Sequence, residues 1–329
     1  KGERFMKGLE LAERFFREAA YPLLQAELPE CLPHIAAGLG GGSQCHGNDD
    51  EISQDHGWGP MIMVWMLTDD YDRFFEPIKN VFTKLPKQFM GYRTEWWALD
   101  LDEFMKMQTG CLSPPKSAIG WLHIPEDYLF EVINRPVFYD GPGEAAKRFK
   151  AFECYYPEDA WKQRLGACIG WLWSWGVKYH RRAERRGDQI TAAYSWSWFA
   201  TYAMKLGFLL NRRYAPYHKW LYREFCRLPK IAHEVAPLIK AGYSARSKRD
   251  RQATKIMDIY VHELNRMGFK AEEMTPEFCA SLAYTEGMDL YMLLPSIRKT
   301  IQCEEIQNLN PYLEIVMPSS RPTYTWVQP

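Results

Sequence analysis

Apolar residues near the start of the chain recur at helical spacing. Leu9, Leu11, Ala12, Phe15, Phe16 and Ala19 predict a helix over Phe5 to Leu28, bracketed by Pro29 and Pro33, which cannot continue it. Ile35 to Leu39 is a short apolar run ahead of Gly40, Gly41 and Gly42, and a polar, acidic loop follows from Ser43 to Pro60. Met61 to Leu67 is continuously apolar and reads as a buried strand. Thr68-Asp69-Asp70 reads as the cap of a helix running to about Lys84. Leu85 to Gly91 is a connector, Trp96 to Asp102 a strand and Glu103 to Gln108 a short helix. Alternating helices and strands predict a small mixed sheet with covering helices, an α/β (α+β) N-terminal half.

Beyond Pro114 the pattern turns helical. Helices are expected over Ala118–Phe130, Glu144–Phe152, Ala160–Arg186, Ile190–Asn211, Pro216–Arg227 and Ala253–Met267, with one or two more over Glu277–Arg298, broken near Pro295. Arg246 to Arg251 reads as a charged loop. The expected organisation is an α/β domain over 1–113, an all-α helical domain over 114–307 and an extended tail over 308–329, with a soft boundary near 113–143.

Charge and composition narrow the function classes. Lys plus Arg and Asp plus Glu each total 41 in 329 residues, so the chain lacks the basic excess of a general nucleic-acid or membrane-surface binder. The aromatic share is 15%, enough for a large core. The longest apolar runs are too short to span a bilayer, so no membrane partner is expected. The 8 cysteines form no C-x-x-C pair, which reads as reduced thiols and a cytoplasmic setting.

The densest chemical signal is the loop. Asp49, Asp50, Glu51 and Asp55, with His46 and His56, fall between positions 46 and 56. Crowded carboxylates repel, and a cation or a raised pKa relieves the repulsion. Carboxylate oxygens suit Mg²⁺, and backbone N–H groups at Gly41-Gly42-Ser43 can approach a phosphate because no Cβ intervenes. Plainer readings compete: Asp49-Asp50-Glu51 as an acidic helix start, Ser53 as a cap and Cys45 as a buried thiol rather than a nucleophile. Trp171, Trp173 and Trp175 cannot share one helix face, so some of them, with Trp196 and Trp198, are candidates to line a pocket.

Gly42-Ser43 after a strand, with Asp55 a dozen positions on, resembles the DNA polymerase β-like nucleotidyltransferase superfamily. The longer string from Gly42-Ser43-Gln44-Cys45 to Asp55-His56-Gly57-Trp58-Gly59-Pro60 resembles a bacterial branch known as a domain of unknown function. Arg186-Gly187-Asp188 and Leu209 to Trp220 extend that resemblance, which runs from about residue 8 to about residue 235. It implies a nucleotidyltransferase-like fold, a carboxylate-held Mg²⁺ and transfer of a nucleotidyl group from a nucleoside triphosphate to a small hydroxylated acceptor. Gly42 and Ser43 would then hold the triphosphate, with Arg93 also counted among the substrate-binding residues. Asp55, His56, Asp50 and Glu51 would carry catalysis. Asp55, Asp50 and Glu95 would bind the metal, and Tyr179, Arg186, Tyr214 and Lys219 would face the acceptor. The chain departs from the superfamily where Asp-x-Asp is expected, because Gly57 stands at the second position. Asp50, Glu51, Glu95 and Asp100 are the candidate replacements. Without one, the alternatives are general acid–base hydrolysis or elimination on a sugar-like substrate, or a non-catalytic ligand-binding protein.

Overall fold

The structure, a computed structural model, describes residues 6–55, 57–274 and 287–314, with the backbone only for Asp55. His56 and the stretches 275–286 and 315–329 lie outside the described residues, and with them the first part of the expected Glu277–Arg298 helix and most of the expected tail. The described residues fall into two compact units, one holding 6–114 and 128–154, the other 115–127 and 155–314.

The first unit is built on a four-stranded mixed sheet. Helix α1 (Gly8–Phe15) passes through a π-helical turn, Phe16–Ala20, into α2 (Tyr21–Glu27). Pro22 has no N–H to return to the carbonyl of Glu18, and the wider turn accommodates that loss. Strand β1 (Ile35–Gly38) leads into the loop, and β2 (Met61–Met66) leaves it. Helix α3 (Thr68–Phe82) crosses over, the short hairpin β3 (Gln88–Phe89) and β4 (Tyr92–Arg93) follows, and β5 (Glu95–Asp100) pairs parallel with β2. The N-cap of α3 is Leu67, with no side-chain bond, so Thr68 is its first residue and not the expected cap; Asp69 and Asp70 in the first turn favour the helix dipole instead. Asp100 does cap α4 (Leu101–Thr109), accepting from the N–H of Asp102 at 2.7 Å and of Glu103 at 3.1 Å.

After α4 the chain enters the second unit with α5 (Ala118–Leu122) and returns along α6 (Glu126–Ile133). One continuous helix over Ala118–Phe130 does not form, because Pro125 interrupts it. Strand β6 (Val137–Asp140) then pairs antiparallel with β1, giving the order β5-β2-β1-β6, and α7 (Glu144–Lys150) follows. The sheet therefore reclaims residues 128–154 from the expected helical half, and the division is interleaved rather than a single cut at 113/114.

Both faces of the sheet are buried. Ile62, Val64 and Met66 pack toward Phe15, Phe16, Phe74, Ile78 and Phe82. Trp65, on the alternate face, meets Phe104 at 5.5 Å and Phe149 at 5.3 Å. Full burial of one such ring contributes about 2–3 kcal/mol. At the β1–β6 bulge the Pro136 carbonyl oxygen would lie 2.0 Å from a Cβ at Gly38, so only glycine fits there. That close approach brings the end of α6 against the start of the loop.

The second unit is helical. Its centre is α8 (Glu158–Trp173), a π-helical turn Ser174–Tyr179, α9 (His180–Arg185) and α10 (Gln189–Leu210). Helix α8 is buried nearly all round. Residues 216–220 are turns, and α11 is only Leu221–Phe225. Helix α12 (Ala232–Ser244), containing Pro237, stands where no helix is predicted, and α13 (Arg249–Arg266) absorbs most of the expected charged loop. Pro295 lies inside the helix Leu293–Lys299 and does not break it. Among the described residues no helix is long and apolar enough to cross a membrane.

Candidate functional site

Antiparallel pairing of β1 and β2 puts the exit of β1 and the entry of β2 at one end of the sheet, where Gly38 faces Met63. Parallel pairing puts Glu95 beside Met61 at the same end. The loop, Arg93 and Glu95 thus gather there, and β6 brings Arg135 and Pro136 to it from the other side.

Gly42 has φ 91°, a conformation glycine tolerates, and starts the short 3₁₀ turn Ser43–His46. Gln44 is fully buried. Its amide donates to the Gly57 carbonyl at 3.3 Å and its oxygen accepts from the Gly59 N–H at 3.4 Å, joining the two limbs of the loop. Asp49 is also fully buried. One of its oxygens accepts from the Gly8 N–H at 2.7 Å and the Trp58 indole at 3.0 Å, while Lys7 lies 3.5 Å from the other. Asp49 is thus engaged in joining α1 to the loop.

Asp50 caps the 3₁₀ turn Glu51–Asp55, accepting from the Ile52 N–H at 3.1 Å and the Ser53 hydroxyl at 3.1 Å. Glu51 is exposed, and the Asp55 backbone ends that turn. Glu95 is half-buried, 4.0 Å from Arg93, whose side chain is largely exposed. Strand β2 carries no carboxylate. Among the described residues no group of three or more carboxylate, imidazole or thiol side chains could hold a metal ion.

Beneath the glycines lies a cluster that the sequence reading did not single out. A Cβ on Gly41 would stand 3.7 Å from a Glu131 oxygen and 4.0 Å from Arg135 Nη1. Arg135 is 7% exposed, lies over the Phe104 ring at 4.7 Å, and donates to Gln108 at 2.9 Å and to the Leu39 carbonyl at 3.5 Å. Its Nε has no partner, and among the described residues no carboxylate comes within 4.0 Å of the guanidinium. Burial lowers its pKa, against the opposing pull of Cys45 and Glu131. His46 Nε2 lies 2.9 Å from Glu131, and its buried Nδ1 is unpartnered. The Cys45 thiol is pushed up to about 12 by burial, which favours the plain reading of that cysteine. The available signal was Arg135-Pro136 followed by Val137-Phe138-Tyr139, a proline break ahead of β-prone residues.

The second-unit candidates have separate surroundings. Tyr179 packs on Trp175 at 4.8 Å, and Arg186 is exposed at the end of α9. Tyr214 is 2% exposed, with Tyr155 at 4.8 Å and Tyr156 at 5.0 Å, a core position. Lys219 is exposed, 5.2 Å from the Trp220 ring centre. Trp171 and Trp175 lie on one side of their helix and Trp173 packs against Tyr291; Trp196 is fully buried, whereas Trp198 is exposed.

Residues 121–221 match a Domain of unknown function (DUF4037). No curated protein matches the chain. Among solved structures, the chain is similar to a nucleotidyltransferase-like protein from Exiguobacterium sibiricum 255-15, with 10% identity and a TM-score of 0.36, over 87% of this chain and 89% of that one.

Proposed function

We propose that the chain is a nucleotidyltransferase-like enzyme acting on a nucleoside triphosphate and a small hydroxylated acceptor. The observation that carries the reading is Arg135. A buried guanidinium without a carboxylate calls for an anion, and the glycine loop stands over it.

In this reading Gly42 and Ser43 offer backbone N–H groups and a hydroxyl to a phosphate, and Arg135 neutralises it from beneath. Glu131 orients His46 through Nε2, leaving Nδ1 to exchange a proton. Asp55 and His56 carry the reaction, with Asp50 and Glu51 beside them. Arg93, Tyr179, Arg186, Tyr214 and Lys219 remain proposed substrate contacts, Tyr214 only if its ring cluster opens. Magnesium would call on Asp55, Asp50 and Glu95, but the described carboxylates do not fit the ion. Asp49 and Asp50 already serve backbone and side-chain donors. That observation favours a second reading, an anion-binding protein without turnover.

The test is thermal melting with ATP and with inorganic triphosphate, each with and without magnesium. Ligand at 100 times its Kd stabilises by about 2.7 kcal/mol. A rise in Tm that Arg135→Met removes supports the site. No shift in the wild type at millimolar ligand overturns it. Turnover lost in Asp55→Asn supports the enzyme, whereas binding without turnover in the wild type supports the second reading.

A further inference from the structure

The strand order leaves β5 at one edge of the sheet, hydrogen-bonded to β2 alone. The Glu95 N–H donates to the Pro60 carbonyl at 3.2 Å, so Glu95 turns its backbone groups toward β2. Alternation then turns the N–H and C=O of Trp96 and Ala98 outward. An unpaired edge of this kind is a template for another strand.

Two adjoining hollows, of about 570 Å³ and about 340 Å³, share Thr83, Arg93, Thr94 and Trp96. The smaller is lined by five consecutive residues, Arg93 to Trp97. Successive strand residues point to opposite faces, so a hollow touching all five runs along the strand's edge rather than over one face. The larger has an apolar floor of Phe82, Leu85 and Trp96. Its cations are Lys87 and Arg93; Lys79 lines the smaller hollow, and Glu95 is the single carboxylate among all the lining residues. Arg93 is 80% exposed in its side chain, and its nearest carboxylate is Glu95 at 4.0 Å.

We infer that the β5 edge is a docking site for an extended, acidic segment of a partner protein, added to the sheet as a fifth strand. The backbone of Trp96 and Ala98 supplies the pairing. Alternate apolar side chains of the segment enter the larger hollow over Trp96, and the intervening carboxylates meet Lys87 and Arg93. The charge surplus along the groove selects the acidic partner over a basic one. This site is independent of the loop beneath which Arg135 lies.

The experiment uses the full chain and two labelled hexapeptides, one alternating Glu and Val, the other Lys and Val. Fluorescence anisotropy reads binding, and hydrogen exchange reads the amides of Trp96 and Ala98. The Glu-Val peptide is expected to bind at least about tenfold tighter than the Lys-Val peptide, and to slow exchange at both amides. The exposed double variant Lys87→Glu/Arg93→Glu should reverse the preference. Failure of either peptide to bind, equal affinity, or binding without slowed exchange overturns the proposal. So does a concentration-dependent dimer that protects the same amides without peptide, since the edge would then pair with a second copy.

Discussion

The Gly8 N–H donates to the buried carboxylate of Asp49 at 2.7 Å, so the first helix begins on a residue of the acidic loop. The Trp58 indole shares that oxygen, and Lys7 faces the other. Asp49→Ala would leave these donors without their acceptor inside the protein. The expected loss is about 3 kcal/mol of stability, against about 1 kcal/mol for Asp49→Asn, which keeps one oxygen. Urea denaturation of the two variants measures the difference, and equal small losses would show that the bond is dispensable.

Arg135 should behave oppositely with and without ligand. Its buried charge lacks a carboxylate partner, so Arg135→Met is expected to leave the unliganded protein as stable as the wild type, or more so. The same variant should lose the Tm rise produced by ATP or triphosphate. A variant that unfolds without ligand, yet still binds, would place the arginine among the structural residues instead.

Cysteine reactivity should separate by burial. Cys45 is 7% exposed and its thiol is raised to about 12, so almost none is thiolate at neutral pH. Cys226 is exposed. Alkylation of the native protein, read by mass spectrometry, should modify Cys226 well before Cys45. Early modification of Cys45 would restore it as a candidate nucleophile.

The second unit carries a pH-dependent contribution. Burial raises the Glu126 pKa above 4.5, while Arg164, Lys205 and the Ala215 N–H oppose the rise and Glu314 adds to it. A carboxyl that holds its proton more tightly when folded contributes stability below the unfolded value and loses it as pH rises through the folded value. Glu126→Gln removes that loss. Its stability relative to the wild type should therefore grow from about pH 4 to about pH 8, followed by urea melts. A constant difference across that range would contradict the shift.

Much of the first unit was readable from pattern. Met61 to Leu67 announced β2 because a strand buried on both faces is continuously apolar, and five of its six residues are buried. The long helices α8 and α10 were equally plain. Strand β6 was not, because four half-buried residues carry little periodicity of their own and owe their conformation to pairing with β1. Helix α12 was hidden by Pro237, which sits early enough in the helix to be tolerated.

The sequence by itself determined that an acidic, glycine-led loop joins two apolar strands, and that a helical half follows. Only the tertiary structure decided which acids are occupied: Asp49 holds the start of α1 and Asp50 caps its own turn. It also decided that Arg135, 94 residues beyond Gly41, lies beneath the glycines. Local patterning records which face of an element is apolar. It does not record which distant donor a carboxylate will meet, because that partner is set by strand order and by the close approach of Pro136 to Gly38.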